Sequence, residues 1–141
     1  MGYQCKSPAK INLFLKVLSK RPDGFHNIVS IVDVVSLFDI MHIEDTKDSD
    51  IVVEDNKGIL PAGMKNTIYR TIALIKEHYN VERGVRVFVE KNIPIGSGLG
   101  GPSSNAATIM KELIKIWELS VDNRDLVNLA RLIGADVPLF L

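Results

Sequence analysis

A glycine-rich stretch, IGSGLGGPSS at residues 95–104, carries the residue types best suited to chemistry in this sequence. Four glycines within six residues allow backbone N–H groups to approach an anion closely, because glycine has no Cβ and adopts positive φ without strain. Pro102 suits the first turn of a helix, whose positively polarised end would point back at the loop. The stretch predicts a cradle for phosphate, with a flexible turn before a helix as the alternative.

Gly96, Gly98 and Gly101 also fit the pattern G-x-G-x-x-G. In dinucleotide-binding proteins this pattern closes the first turn of a βαβ unit, and an acidic residue ends the second strand about twenty residues later. Here a second predicted helix follows the first, and Asp122 and Asp125 fall at its start. The loop also lacks the lysine of a Walker A sequence, and no valine-alanine-x-lysine strand follows it as in protein kinases. The sequence context excludes these three nucleotide-binding classes.

The composition predicts one globular domain. The chain has 141 residues, of which 46% are hydrophobic, which is enough for a core. Its 17 basic and 17 acidic side chains cancel, which removes the broad attraction that nucleic-acid or anionic-membrane binding relies on. One cysteine, Cys5, and three histidines offer neither a disulfide nor metal-site spacing. With no membrane-spanning run and no signal-peptide core, we expect a cytoplasmic protein without a nucleic-acid or membrane partner.

A long antiparallel hairpin is predicted near the start of the chain. Residues 11–17 alternate and residues 28–35 are rich in β-branched side chains, and a Pro-Asp-Gly turn at 22–24 lies between them. The alternation places Lys10 on the side of Asn12, a polar pair that suits the wall of a cleft or solvent equally. It puts Ile11, Leu13, Leu15 and Val17 on a half-buried face, and Asn12, Phe14 and Lys16 on the other.

The remaining elements separate strands from helices along the chain. Short strands are predicted at 40–44, 50–54 and 85–89, and a helix is predicted between the cap Asn66 and the stop Asn80. Apolar spacing predicts one helix after the glycine loop and another that ends at Gly134. Strands early and helices late predict an α+β fold rather than an alternating parallel sheet.

Four separated segments resemble the kinases of the GHMP small-molecule superfamily. In chain order they are SPAKINLFL, RPDGFHNI, IPIGSGLGGPSSNAA and GADVPLFL, between Ser7 and Leu141. They match the branch that uses ATP to phosphorylate a hydroxyl of diphosphocytidyl methylerythritol in the non-mevalonate isoprenoid pathway. The resemblance implies an N-terminal, ATP-binding GHMP domain: a mostly antiparallel sheet with helices packed on one side, an architecture that also occurs in a ribosomal protein.

The resemblance implies that the glycine loop wraps the triphosphate of ATP and that Asn66 and Lys91 border the adenosine. The residues alone predict only a helix cap for Asn66 and a solvated strand end for Lys91. Two departures from the usual loop are Ser97, a mild change where φ is negative, and Pro102, which lacks an N–H donor. The loop residues implied to bind ATP are Pro94, Gly96, Ser97, Gly98, Leu99, Gly100, Gly101, Ser103 and Ser104.

The same resemblance implies a catalytic pair, Lys10 and Asp136. An alcohol loses its proton as it attacks the γ-phosphorus, so a carboxylate can act as base, while an ammonium offsets developing negative charge. By residue type alone, Asp136 could be an ordinary turn residue and Lys10 an exposed lysine. ATP chemistry implies Mg²⁺, with Ser103 or Ser104 as candidate contacts that the sequence does not decide between.

Asn12, Phe25 and His26 are implied to bind the substrate. An aromatic ring can stack on a base and an imidazole can bond its edge, so the pair Phe25 and His26 suits a cytosine ring. Phe25 stands where the family commonly has tyrosine, which keeps the ring and removes the hydroxyl. A surface histidine beside a core phenylalanine is the alternative. His42 and His78 match no motif and receive no role.

Kinases of this superfamily are about twice as long as this chain. Residues 1–141 are therefore expected to form the N-terminal domain, with the C-terminal domain absent and the chain ending in an apolar strand. The apolar surface that would contact the C-terminal domain is then exposed, so we expect homodimerisation or another association through it. We also expect little activity from residues 1–141 alone. The alternatives are a sister GHMP kinase acting on another small alcohol, an inactive nucleotide-binding fragment, or a non-catalytic binding module.

Overall fold

A computed structural model describes residues 2–141. Strands dominate the first part of the chain and helices the last, with short 3₁₀ helices at Gly63–Lys65 and Val137–Phe140. The strands are β1 (Gly2–Lys20), β2 (His26–Thr46), β3 (Ile51–Asp55) and β4 (Gly84–Glu90), and the helices are α1 (Thr67–Tyr79), α2 (Gly101–Ile116) and α3 (Asn123–Ile133).

The four strands form one sheet in the order β1-β2-β4-β3. The β1/β2 and β2/β4 pairs are antiparallel, and β3 pairs with β4 in parallel. Successive strand residues point to opposite faces, and the face that carries Met41, Ile43 and Val87 is buried while Phe88 on the other face is exposed. The core joins that face to the three helices through Ile68, Ile72, Ile75, Ala106, Ile109, Met110, Leu113, Leu129 and Ala130. The predicted α+β class, with helices on one side, is confirmed.

The helices begin and end where the sequence predicts. Asn66 Oδ1 accepts hydrogen bonds from the backbone N–H groups of Ile68 and Tyr69, at 2.9 and 3.4 Å. Asn80 ends α1 in the left-handed conformation, with φ of 53°. Asp122 caps α3, and Gly134 follows its last residue. Within residues 2–141, no helix is long and apolar enough to cross a membrane.

The predicted hairpin is longer and more exposed than the sequence indicates. The two predicted strands at 28–35 and 40–44 are one continuous strand, β2. Residues 11–35, which we call the arm, extend beyond the part of the sheet that the helices cover, and the expected half-buried face is wrong. Apolar side chains of the arm that are exposed on the surface include Leu13, Phe14, Leu15, Val17, Leu18, Phe25, Ile28, Val29, Ile31 and Val34.

Irregular pairing interrupts the alternation along the arm. Asn12 pairs with Val32 but Phe14 pairs with Ile31, so one residue of β1 between them has no partner. Because Val32 and Ile31 are adjacent and point to opposite faces, Asn12 and Phe14 also lie on opposite faces. The sequence-based placement of Phe14 on the face of Asn12 is therefore wrong.

The sequence analysis predicts that the chain ends in an apolar strand, and this prediction is wrong. Val137–Phe140 forms a 3₁₀ helix in which the N–H of Leu139 donates to the carbonyl of Asp136 at 3.1 Å. Pro138 fixes its own φ near the helical value and has no N–H to give to a sheet ladder, which favours the turn. Val137 and Phe140 are buried, so the apolar residues of this segment serve the core.

Gly84, at the start of β4, is the tightest glycine of the fold. A Cβ placed there would lie 2.5 Å from the carbonyl oxygen of Asp50. We expect Gly84→Ala to lower the free energy of unfolding by about 2 kcal/mol, because β3 must shift to admit the methyl group. Gly2→Ala is the control, since a Cβ at Gly2 meets nothing within 4 Å. Urea unfolding of both variants checks this, and equal midpoints would contradict it.

Candidate active site

The glycine loop has a backbone that only glycine adopts readily. Gly96, Gly98 and Gly100 have φ of 71°, 75° and 73°. Ser97 is not among the residues with positive φ, so this departure from the usual loop is accommodated without strain. Its hydroxyl donates to the carbonyl oxygen of Pro94 at 2.7 Å, which closes the loop on itself. The loop exists in this shape because of its glycines.

The loop leads directly into α2. Gly100 is the N-cap, and Pro102 lies in the first turn, where its missing N–H costs no helical hydrogen bond. The N–H groups of Gly101 and Ser103 have no partner within the helix and lie at its positively polarised end. Ser104 N–H already donates to the carbonyl of Gly100 at 2.8 Å. The predicted helix start behind the loop is confirmed.

Lys10 packs against the glycine loop. Its backbone N–H donates to the carbonyl of Leu99 at 2.9 Å, which joins β1 to the loop. A Cβ added at Gly100 would lie 3.0 Å from Lys10 Cγ and 3.0 Å from Phe140 Cζ. Lys10 is only 7% exposed, and its ammonium donates to Asn12 Oδ1 at 2.7 Å. It is therefore not an ordinary exposed strand lysine, and the predicted shared face of Lys10 and Asn12 is confirmed.

Asp136 is the N-cap of the 3₁₀ helix Val137–Phe140, which also packs against the loop. It is half-buried, and Phe140 of the same helix reaches the point where Lys10 and Gly100 meet. The fold thus brings the segments of Lys10 and Asp136 to one side of the loop. The ammonium of Lys10 donates to Asn12, and the two residues predicted as the catalytic pair form no ion pair within residues 2–141.

Beneath the loop lies a fully buried carboxylate, Asp39. One oxygen accepts hydrogen bonds from the backbone N–H groups of Asn92 and Ile93, at 2.8 and 2.9 Å. The other oxygen accepts from the ammonium of Lys91 and from Asn105 Nδ2, the latter at 3.0 Å. Asp39 therefore fixes both the approach to the loop and the first part of α2.

Two serines extend this arrangement to β1. Asn105 Nδ2 also donates to Ser7 Oγ at 2.8 Å, and Ser7 Oγ donates to Ser104 Oγ at 2.9 Å. Ser104 is fully buried, so its hydroxyl faces the interior rather than the loop. We call Ser7, Asp39, Lys91, Ser104 and Asn105 the buried network.

The buried network changes the interpretation of Lys91 and adds residues that the sequence analysis missed. Lys91 is 2% exposed and forms an ion pair with Asp39, so it is not a solvated strand end. A signal for Asp39 was available, because it lies two residues before Met41 and four before Ile43 on the buried face of β2. The sequence gives no signal that Lys91 is the partner of Asp39, because this pairing depends on how β2 and the loop pack together.

An apolar cavity of about 220 Å³ opens beside the loop. Its walls include Asn66, Lys91, Ile95 and Pro102. The amide nitrogen of Asn66 is buried and has no hydrogen-bond partner, although its oxygen caps α1. A flat, mostly apolar ligand with a hydrogen-bond acceptor at its edge would satisfy this group.

Phe25 and His26 lie at the tip of the arm and are exposed. The alternative interpretation, a surface histidine beside a core phenylalanine, is wrong about Phe25, because this residue is not in the core. His26 lies six residues before Val32, the partner of Asn12, and both have even numbers on a regular stretch of β2. His26 therefore lies on the same face of the arm as Lys10 and Asn12. At about 3.4 Å per residue, the six residues from Val32 place His26 roughly 20 Å from Asn12. The structure does not bring these two groups into contact.

Other titratable residues have local partners away from the loop. The Nε2 atoms of His42 and His78 lie 2.6 Å from Glu90 and 3.1 Å from Asp125. Burial raises the pKa of the Cys5 thiol to about 11, so it carries no thiolate at neutral pH. In the part of the chain that the structure describes, no group of three histidine, cysteine or acidic side chains could hold a metal ion.

The α+β fold and the glycine loop at the start of α2 agree with one family of proteins. Residues 66–141 match the family described as "GHMP kinases N terminal domain", which is more than half of the chain. The chain belongs to the GHMP kinase family.

Relatives within that family share one description. The 4-diphosphocytidyl-2-C-methyl-D-erythritol kinase of Caldicellulosiruptor bescii is 45% identical over 136 residues, which are 96% of this chain and 48% of the relative. The corresponding enzyme of Prochlorococcus marinus is 41% identical over 136 residues, 96% of this chain and 44% of the relative. The chain spans about half the length of the curated relatives it matches.

Solved structures agree with this assignment. A crystal structure of 4-(cytidine 5'-diphospho)-2C-methyl-D-erythritol kinase superposes with a TM-score of 0.82 at 38% identity, covering 98% of this chain and 48% of that one. The mevalonate kinase of Methanococcus jannaschii superposes with a TM-score of 0.68 at 18% identity, covering 99% of this chain and 47% of that one. At that identity the second likeness shows the fold alone.

The buried network gives a prediction for stability. We expect Asp39→Ala to lower the free energy of unfolding by about 3–5 kcal/mol, because it leaves the ammonium of Lys91 buried without its counter-charge. Asp33→Ala is the matched control: Asp33 lies on the same strand, is exposed, and accepts one hydrogen bond, from the N–H of Val34. Its effect should stay within about 0.5 kcal/mol. Urea unfolding measures both, and similar midpoints for the two variants would show that the network contributes little.

Proposed function

We propose that this chain forms the ATP-binding half of a kinase that phosphorylates a hydroxyl of 4-diphosphocytidyl-2-C-methyl-D-erythritol. The observation that carries the proposal is the packing of Lys10 against the glycine loop at the start of α2. An ammonium and a set of backbone N–H groups converge there on one small region. The names of the relatives support the particular substrate, and the site's own chemistry supports phosphoryl transfer.

The residues fit ATP in two places. The unpartnered amide nitrogen of Asn66 lines an apolar cavity that suits the adenine ring, and it can donate to a ring nitrogen. The loop between Pro94 and Ser104 would hold the phosphates through the N–H groups of Gly101 and Ser103. Mg²⁺ would supply charge neutralisation on the phosphates, with the hydroxyl of Ser103 as an oxygen ligand.

In the proposed reaction Asp136 is the base and Lys10 the stabilising cation. The substrate hydroxyl gives its proton to the carboxylate of Asp136 while its oxygen forms a bond to the γ-phosphorus, and the bond to the β-phosphate oxygen breaks to release ADP. Lys10, held by Asn12, places its positive charge where negative charge develops. Closing of the Asp136 segment onto Lys10 would complete this arrangement.

The cytidine end of the substrate would lie toward the tip of the arm. Phe25 offers an exposed ring for stacking, and His26 offers a polar edge on the same face as Asn12 and Lys10. A diphosphate-linked alcohol is an extended molecule, which suits binding along a strand face. Equal numbers of basic and acidic side chains argue against nucleic acid as a further partner, and a reducing cytoplasm suits the lone Cys5.

Phosphorus NMR with ATP, Mg²⁺ and the diphosphocytidyl alcohol tests the proposal. Two proteins are compared: the 141-residue chain, and the same chain joined to the C-terminal half of the Caldicellulosiruptor bescii relative. We expect substrate-dependent formation of ADP and a phosphomonoester signal with the joined protein, and little with the chain alone.

Two variants of the joined protein assign the roles. Lys10→Met and Asp136→Asn should each lower kcat at least about a hundredfold, because each removes charge at the reacting centre. Lys16→Met, on an exposed part of the same strand, should leave it unchanged. Transfer to a different small alcohol would indicate a sister kinase. ATP binding without any transfer would indicate an inactive nucleotide-binding fragment, and either result contradicts the proposed substrate or activity.

We further propose that the chain self-associates through the arm face opposite Lys10. Phe14, Val29 and Ile31 are exposed there and form an apolar surface on one face of the arm. A second copy of the arm can pack the same face against this one about a twofold axis, while the face of Lys10 stays open for substrate.

Sedimentation velocity of the chain alone tests the association. We expect a dimer at tens of micromolar for the unchanged chain and a monomer for the double variant Phe14→Lys, Ile31→Glu, which places opposite charges on an exposed cross-strand pair. Leu132→Lys, at an exposed apolar site on α3, is the control and should remain a dimer. A monomeric unchanged chain, or a dimer in the arm variant, would rule out this interface.

A further inference from the structure

A chain of hydrogen bonds crosses the arm behind Lys10. Lys10 Nζ donates to Asn12 Oδ1 at 2.7 Å, and Asn12 Nδ2 donates to Ser30 Oγ at 2.7 Å. Ser30 Oγ in turn donates to the backbone carbonyl of Phe14 at 2.7 Å. Three short bonds therefore connect the ammonium at the glycine loop, through Ser30 of β2, to the backbone of Phe14 on β1.

The ends of this chain fix its direction. The carbonyl of Phe14 can only accept, so the single proton of the Ser30 hydroxyl is used there and Ser30 can only accept from Asn12. Asn12 must then turn its NH₂ group toward Ser30 and its oxygen toward Lys10. A flipped amide would place an NH₂ group against an ammonium, which also only donates. The hydroxyl of Ser30 thus selects the amide orientation that holds Lys10.

The contact between Asn12 and Ser30 joins diagonal neighbours on the two strands of the arm. Asn12 pairs with Val32, and Ser30 lies two residues from Val32 on the same face of β2, so its side chain reaches Asn12. The arm also holds a second bond of the same kind, from Asn27 Nδ2 to Ser19 Oγ at 3.0 Å, nearer its tip. That pair has the same chemistry but no link to Lys10, and so provides a matched control.

We propose that Ser30 is a positioning residue that holds the ammonium of Lys10 at the glycine loop by fixing the orientation of the Asn12 amide. The hydrogen-bond part of this proposal stands on the contacts alone. Its catalytic consequence rests on the proposed kinase function, because only then does the position of Lys10 decide a rate.

NMR of the isotopically labelled 141-residue chain tests the positioning directly. In Ser30→Ala we expect the Lys10 side chain to lose order and the Asn12 NH₂ protons to exchange with water at least about threefold faster, since both lose a fixed partner. Ser30→Thr keeps the hydroxyl and should behave as the unchanged protein. Ser19→Ala should leave Lys10 unaffected. An equally ordered Lys10 in Ser30→Ala, or equal disorder in Ser19→Ala, would overturn the proposal.

Kinetics then test the catalytic consequence in the joined protein. We expect Ser30→Ala to lower kcat about tenfold with KM for ATP unchanged, because a displaced ammonium weakens the transition state while the nucleotide cradle stays intact. Ser30→Thr should recover the rate, and the thermal midpoint should not change. An unchanged kcat in Ser30→Ala would overturn the catalytic part. If the unsubstituted protein transfers no phosphate, the proposed function fails, while the NMR result still decides whether Ser30 positions Lys10.

Discussion

The buried ion pair between Asp39 and Lys91 is the interaction on which the loop and its surroundings depend. Transferring two charges from water to the interior is costly, and the attraction between them compensates only if the remaining lone pairs and protons are also satisfied. Here the second oxygen of Asp39 accepts two backbone N–H groups at the approach to the loop, and Asn105 bonds to both partners of the pair. The pair therefore joins β2, the segment after β4, and α2 in one arrangement.

This arrangement decides what the glycine loop can do. Glycines at positive φ permit many conformations, so the loop needs fixed ends to present one of them. One end is held by Asp39 through Ile93, and the other by α2, whose residue Ser104 is bonded to Ser7 of β1. Lys10 follows Ser7 by three residues on the same strand and bonds to the middle of the loop. The same few residues thus place the loop, the helix end and the ammonium.

The sequence predicts the helices well and the arm less well. Local signals suffice for α1, where the side chain of Asn66 caps the helix and Asn80 adopts the left-handed conformation that ends it. The unpaired residue after Asn12 has no local signal, because it arises from register between two strands, and it reverses the face on which Phe14 lies. Burial of Lys91 also depends on a partner fifty-two residues away. The resemblance predicts the candidate site residues, whereas the network behind them required coordinates.

The neutral buried pair also has an electrostatic consequence for the proposed ATP site. Because Asp39 cancels the charge of Lys91, that lysine adds little net positive potential at the loop despite lying beneath it. A polyanion held there would depend on the backbone N–H groups, on the end of α2, equivalent to about half a charge, and on Lys10. Lys10 would then supply a full positive charge held against the loop, and its exact position would matter more than the net charge of the chain. A protein with equal numbers of acidic and basic residues can bind phosphate in this way, since the attraction is concentrated at one short segment rather than spread over its surface.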